Sequence, residues 1–192
     1  MSESPFHKFG EWFAMAEGCE PNDPNAMTVA TVGVNGRPAA RILLLKHWDE
    51  RGFVFFGNLG SRKAGEMAGN RQVALLFHWK SLARQVRIEG AVTQVSDADA
   101  DAYFATRPRP SQIGAWASEQ SRPLVSRELF EQRISAVEAR FSGREVTRPD
   151  FWSGWRLAPD YFEFWQGIDF RLHDRFVFTK AGEGWDTGRL FP

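Results

Sequence analysis

The residues most able to do chemistry sit in Arg171-Leu172-His173-Asp174-Arg175-Phe176, inside the run FEFWQGIDFRLHDRFVF. Aromatic and branched neighbours predict a strand there. Side chains alternate faces along a strand, so Arg171, His173 and Arg175 would share one side and Leu172, Asp174 and Phe176 the other. Two guanidiniums with an imidazole between them repel a further cation and suit an anion or an electron-rich ring. Gln166-Gly167 offers a flexible approach just upstream. The plainer reading of the same pattern is an exposed strand face carrying ordinary charge.

Three further clusters stand out, the first and last of which suit phosphate. In NLGSRKAGEM, residues 58–67, a glycine, a serine, Arg62 and Lys63 open a helix, where free N–H groups and the positive dipole end attract anions. The P-loop pattern GxxxxGK[ST] is absent, and solvated cations at a helix start are the alternative. In RILLLKH, residues 41–47, strict alternation puts Arg41 and Lys46 on opposite faces. One ligand meets both only if a bulge or strand end intervenes; otherwise this is a buried strand with snorkelling ends. In YFATRPRPSQIGAW, residues 103–116, Tyr103 and Arg107 are four apart on a helix and face the same way, with Ser111 following in a loop. Their hydroxyl and guanidinium donors could cradle a phosphate; a cation against a helix C-terminus is the alternative.

Other chemistries find little support. The four histidines, His7, His47, His78 and His173, are scattered without carboxylate spacing that implies a metal. Neither a G-x-S-x-G elbow nor a dinucleotide glycine fingerprint occurs. Balanced charge, 24 basic against 24 acidic residues, argues against nucleic-acid binding by bulk phosphate attraction. Cys19 is the only cysteine, which rules out an intramolecular disulfide and fits a reducing cytoplasm. The N-terminus lacks the pattern of a signal peptide, and no apolar run reaches membrane-spanning length.

These residues need a scaffold, and 192 residues with 43% hydrophobic and 14% aromatic content predict one well-cored domain over 1–192. Phe6, Phe9, Phe13 and Ala16 have the spacing of one helix face, so 1–22 reads as an N-terminal helix ended by EPNDPNA. Two strands flank Asn35-Gly36, a strong hairpin signal. FVFFGN, RQVALLFHW and RQVRIEGAVTQVS read as further strands, with a helix between the first two. Ser96 opens a helical DADADAYFATR; after a Pro-rich break, LFEQRISAVEARF keeps helical spacing at Phe130, Ile134, Val137 and Phe141. RPDFWSGWRLAP then leads into closing strands YFEFWQ, RLHDRFVF and EGWDTGRLF. Six or more hairpin-linked strands with a few helices give a mainly β (α+β) fold, an antiparallel barrel with helices outside. The eight tryptophans read as core, Trp165 beside the cationic run excepted.

RILLLKH, FVFFGNLGSRKA, RQVRIEG, YFATRPRPSQIGAW with SEQSR after it, FWSGWR, FEFWQG, RLHDRF and the terminal RLFP stand in one order from about Asn25 to Pro192. In that order and spacing the chain resembles the pyridoxamine 5′-phosphate oxidase family. The resemblance implies an FMN-binding split β-barrel acting as a cytoplasmic homodimer, with each flavin held between subunits. It implies FMN contacts at Arg41, Ile42, Leu43, Leu44, Lys46, Phe56, Gly57, Arg62, Lys63, Gln85, Gln120, Ser121, Trp165 and Arg175. For the substrate phosphate it implies Lys46, Tyr103, Arg107 and Ser111, with Arg171 and His173 as catalytic residues near the substrate ring, and it implies no metal. The implied reaction oxidises pyridoxamine and pyridoxine 5′-phosphates to pyridoxal 5′-phosphate, reducing O2 to H2O2. Two other readings stay open: a related FMN oxidase of another heteroaromatic substrate, as in phenazine pathways, and a non-catalytic binder of flavin or pyridoxal phosphate. Three departures from the family pattern stand out. The chain begins almost at its first helix, so a shortened arm is expected where members close over substrate. Gly57 replaces a common hydroxyl residue, and Ile168-Asp169-Phe170 is more apolar than usual before RLHDR.

Overall fold

The Asn35-Gly36 turn reverses the chain as its chemistry predicts. Gly36 has φ +73°, a left-handed conformation that glycine adopts without a Cβ clash. The flanking strands β1 (Ala26–Val32) and β2 (Pro38–Leu44) pair antiparallel in an unbroken register. The computed structural model describes residues 4–192. It places α1 (Pro5–Cys19) before this hairpin and β3 (His47–Asp49), β4 (Gly52–Asn58), α2 (Arg62–Gly69), β5 (Gln72–Trp79) and β6 (Arg84–Gln94) after it. Three helices follow, α3 (Asp97–Thr106), α4 (Arg109–Ala117) and α5 (Arg127–Arg140), then β7 (Trp152–Gln166), β8 (Asp174–Ala181) and β9 (Gly184–Arg189).

All nine strands join one antiparallel sheet in the order β2-β1-β5-β6-β7-β4-β3, with β8 on β7 and β9 on β8. The division occurs along β7. Its residues 152–157 pair with β4 and 161–166 with β8, while β6 runs along both halves. Between the halves, Pro159 lies opposite Gly90 where the β6–β7 register shifts. A Cβ on Gly90 would come within 2.1 Å of the Ala158 carbonyl oxygen, so only glycine lets the strands approach there. The result is mainly β: a curled half-barrel with five helices around it.

Alternation along β1 and β5 sends Val29, Val73, Leu75 and Phe77 inward. They meet Phe53, Phe55, Ile88, Phe162, Phe164 and Phe178 in an aromatic core. Helix α1 lays its apolar face on this core, with Phe9 edge-on to Phe53 at 4.9 Å and to Phe77 at 5.3 Å. Burying such rings contributes more than any other side-chain type. A second, smaller core of Phe104, Ile113, Phe141, Val146 and Trp152 joins α3, α4 and α5 to the start of β7.

Four local readings change. The N-terminal helix covers Pro5–Cys19 rather than 1–22, residues 1–3 lying outside those described. Ser111 is not in a loop but in the first turn of α4, which begins directly after Pro108 with Pro110 beside it. Proline lacks an N–H that the first turn does not need, so a Pro-rich stretch can start a helix as well as break one. WSGWRLAP, residues 152–159, is not a lead-in; it is the first half of β7, and Pro159 sits at a register shift where its missing donor is tolerated. Finally, the strand begins only at Asp174. Phe170 (φ +57°) and Arg171 (φ +63°) are left-handed, which turns the chain and ends face alternation before His173. Among the described residues, no helix is long and apolar enough to cross a membrane.

Candidate active site

A cavity of about 620 Å³ opens between β4, the end of β2, α3 and α4. The end of β2 solves the problem of facing. Leu44 is the last strand residue, and the Lys46 N–H donates to the Val54 carbonyl, 2.9 Å, carrying the chain from one sheet edge towards β4. Leu44 and Lys46 therefore both line the cavity, while Arg41 lies away from it. Phe56 and Tyr103 stack at 4.1 Å, and Trp152 lies parallel to Phe56 at 5.4 Å, which walls one side with rings. Ser96 accepts from the Asp99 N–H and so starts α3 where Tyr103 faces this wall.

Arg107 caps the C-terminus of α3 and holds its guanidinium 4.8 Å above Trp152. Its Nη1 is buried with no hydrogen-bond partner, and burial lowers its pKa from the usual arginine range without removing the charge. Ser111 adds a hydroxyl from α4, and Lys46 a second cation. No carboxylate lines this cavity. A half-buried cation with one buried, unsatisfied nitrogen in an acid-free cleft is the complement of an anionic group.

Beside it, Ser61 begins α2 and Lys63 is buried at 4% exposure. The Lys63 ammonium donates to Ser61 Oγ at 3.0 Å and to Gln120 Oε1 at 2.9 Å. No carboxylate pairs with it among the described residues, and burial, with Arg41 nearby, pushes its pKa down to about 8. A Cβ at Gly57 would stand 2.9 Å from Lys63 Nζ and Cε, so a side chain there would shift the end of the lysine. Arg62 and Arg41 converge instead on Glu66, at 2.7 and 3.0 Å. Burial would raise the Glu66 pKa, but hydrogen bonds from Thr31, Arg62 and Arg41 outweigh it and hold the carboxyl below the usual range. Gln120 lines the cavity, and Ser121 follows it in a left-handed conformation, φ +72°. Buried cations, donor side chains and an aromatic wall fit a phosphate-bearing flavin.

The remaining expected residues gather elsewhere. Gln85, Trp165 and Arg175 form one rung across β6, β7 and β8. His173 packs its ring 4.6 Å from that of Trp165, and its Nδ1 accepts from the Ile168 N–H at 3.2 Å. A neutral His173 so arranged carries its proton on Nε2. Arg171 is exposed in the turn before β8. None of these five lines the cavity of its own chain. Ile42 and Leu43 lie on β2, the former 63% exposed and the latter packed on the core.

Sequence reasoning missed several participants. Asn58 lines the cavity and ties it together: its Oδ1 accepts from the Gly60 N–H at 2.7 Å and its Nδ2 donates to the Ser118 carbonyl at 3.1 Å. Asn-Leu-Gly is a side-chain-capped turn pattern that could have pointed to it. Trp152 and the carboxylates Glu66 and Glu163, which hold the arginines, gave no local signal.

Comparison with known proteins follows this geometry. Residues 17–141 match the family model described as pyridoxamine 5′-phosphate oxidase. Residues 152–192 match the one described as the pyridoxine 5′-phosphate oxidase C-terminal dimerisation region. Over 192 residues the chain is 57% identical to the pyridoxine/pyridoxamine 5′-phosphate oxidase of Sphingopyxis alaskensis, covering all of this chain and 89% of that protein. It is 56% identical to the Gluconobacter oxydans protein of the same name, covering 96% of it. Among solved structures it resembles PhzG from Burkholderia lata in complex with tetrahydrophenazine-1-carboxylic acid, at 29% identity and a TM-score of 0.93, with 98% of this chain and 93% of that one covered. A Nostoc punctiforme protein described as pyridoxamine 5′-phosphate oxidase-related and FMN binding shares the fold at 15% identity, with a TM-score of 0.79 and both chains fully covered.

Proposed function

The chain belongs to the pyridoxamine 5′-phosphate oxidase family, and on that premise we propose that it oxidises pyridoxamine and pyridoxine 5′-phosphates to pyridoxal 5′-phosphate in the cytoplasm, as one FMN-binding domain paired in a homodimer. The observation that carries the substrate assignment is the buried, partnerless Arg107 Nη1 on a cavity without carboxylates. Arg107 takes the substrate phosphate, with Lys46, Tyr103 and Ser111 as the other donors. Arg62, Lys63, Gln120 and Ser121 hold the flavin phosphate, while Arg41, Ile42, Leu43, Leu44, Phe56 and Gly57 flank the flavin body. A second subunit brings Gln85, Trp165 and Arg175 against that flavin, because these side chains do not reach the cavity of their own chain.

FMN held there would supply the redox chemistry, a two-electron oxidation at the substrate's C4′ with O2 as the final acceptor, giving H2O2. The protein supplies position and charge. Arg171 orients the ring, and His173, held through Nδ1, presents Nε2 as the group able to move a proton. With the amine substrate, water completes the balance by releasing ammonia and leaving the aldehyde.

The likeness to PhzG favours one second reading, a related oxidase of an unphosphorylated ring. An anaerobic visible spectrum of the FMN-loaded protein separates the two. Pyridoxine 5′-phosphate should bleach the flavin band while pyridoxine itself does not at the same concentration. An unchanged spectrum with FMN bound would overturn the proposal and favour the second reading.

A further inference from the structure

On the outward face of β7, opposite the core residues Phe162 and Phe164, Glu163 is only 3% exposed. Two guanidiniums seal it: Arg175 Nε donates to Oε1 and Arg87 Nη2 to Oε2, each at 2.7 Å. Burial works against its charge, yet these bonds outweigh burial and lower its pKa. Arg175 is held a second time, since its Nη1 donates to the Phe191 carbonyl at 3.0 Å. The Leu190 N–H in turn donates to the Arg175 carbonyl, also at 3.0 Å, so the C-terminal segment runs beside this side chain. Two of the three guanidinium nitrogens are thereby committed within the chain. Nη2 has no hydrogen-bond partner among the described residues.

A long flexible side chain at the start of a strand would ordinarily sample many rotamers and lose that freedom on binding a ligand. Here it is clamped beforehand at two points with one nitrogen left over. We propose that Glu163 and the Phe191 carbonyl are positioning groups that pre-orient Arg175, so that its Nη2 meets the flavin in one fixed direction; this rests on the reading of Arg175 as a flavin contact. The clamp extends the site to a buried carboxylate and to Leu190 and Phe191, which act through Arg175. Because Glu163 is bridged to Arg87 as well, the clamp is anchored on β6 and does not drift with β8.

The test is a double-mutant cycle read as FMN affinity, by quenching of flavin fluorescence on titration into the full-length apoprotein. Arg175→Ala and Glu163→Gln should each weaken FMN about tenfold, and the double variant should be no weaker than Arg175→Ala alone. Deleting residues 190–192 should produce a smaller loss that also vanishes in the Arg175→Ala background. If Arg175→Ala leaves FMN affinity unchanged, the flavin assignment itself is wrong. If Arg175→Ala weakens FMN but Glu163→Gln does not, the assignment stands and the clamp is refuted. Equal, additive losses in both backgrounds would also refute it, since that is how a merely structural carboxylate behaves. Should Glu163→Gln fail to fold, Glu163→Asp, which keeps the charge and retracts it by one methylene, carries the same cycle with the same expected non-additivity.

Discussion

At and beside the cavity, buried Lys63 and half-buried Arg107 are short of partners, whereas along β7 and β8 the cations are exposed or already paired. Lys63 lies at 4% exposure with only neutral acceptors, and Arg107 has a buried nitrogen with none. Arg175 by contrast is bonded to Glu163 and to a backbone carbonyl, and Arg171 stands in solvent. Exposed apolar side chains surround this second region: Phe170 at 92%, Leu172 at 66% and Phe191 at 94%. The first region is built to receive small anions. The second is built to meet a surface, and it falls within the segment that matches the dimerisation region. On the proposed reading, these are two halves of a site that a single chain does not join.

The largest test of that division is Arg171→Ala. Turnover should fall roughly a hundredfold, as expected for lost orientation at the reacting carbon, while FMN stays bound with wild-type affinity. Loss of the flavin instead would mean that Arg171 belongs with the cofactor contacts, and the division between catalytic and flavin residues on this edge would collapse. Arg107→Met probes the opposite region. The KM for pyridoxine 5′-phosphate should rise about tenfold or more. Thermal stability without substrate should improve by about 1 kcal/mol, or about 2–4 °C, because a buried unpaired donor is replaced by an apolar chain of similar length. A fall in melting temperature with unchanged KM would show that Arg107 serves the α3 terminus and not the ligand.

The two regions also differ in how far the sequence revealed them. The Asn35-Gly36 hairpin, the Ser96 helix start and the inward rows of β5 and β6 follow from turn chemistry, capping and period-two burial, all local effects; Ser61 sits at the start of α2 as expected, but its hydroxyl bonds to the Asn58 carbonyl and Lys63 and caps no helix N–H. Helix α4 hid behind Pro108 and Pro110, because proline ends one helix and begins another by the same missing N–H. The turn at Phe170 and Arg171 had no warning at all. Neither residue favours positive φ, so the strain there is held by tertiary context that a local pattern does not carry. Convergence was least legible: Lys46, Tyr103 and Ser111 lie on three different elements, and spacing alone gave only the Tyr103–Arg107 pair. Their grouping rested on the family resemblance, and the structure supplies the geometry for it.

Arg62→Ala sharpens the comparison from within the cofactor pocket. Arg62 is about half exposed and already bonded to Glu66, so its contact with a phosphate is the weaker kind, and FMN affinity should drop about tenfold. Unchanged affinity by fluorescence titration would remove Arg62 from the flavin phosphate and leave Lys63 as the one cation assigned to that phosphate.

The smallest effect is the most specific to a buried, unpaired cation. Without ligand, Lys63 loses its proton near pH 8 rather than above 10. The unfolded chain therefore binds more protons between about pH 8 and 10.5, and the stability of the flavin-free protein should rise with pH across that window. Flavin affinity should run the other way. A phosphate dianion is already fully formed above pH 7, so the change belongs to the lysine: the charged form binds it, the neutral form does not. FMN affinity should then weaken about fourfold between pH 7 and 8.5, and Lys63→Met should bind FMN more weakly with that slope abolished. Arg175→Ala, in the paired region, should weaken binding while leaving the slope intact, because its guanidinium stays charged throughout. A slope that survives Lys63→Met would transfer the titration to another group and end the contrast between an unpaired pocket and a paired edge.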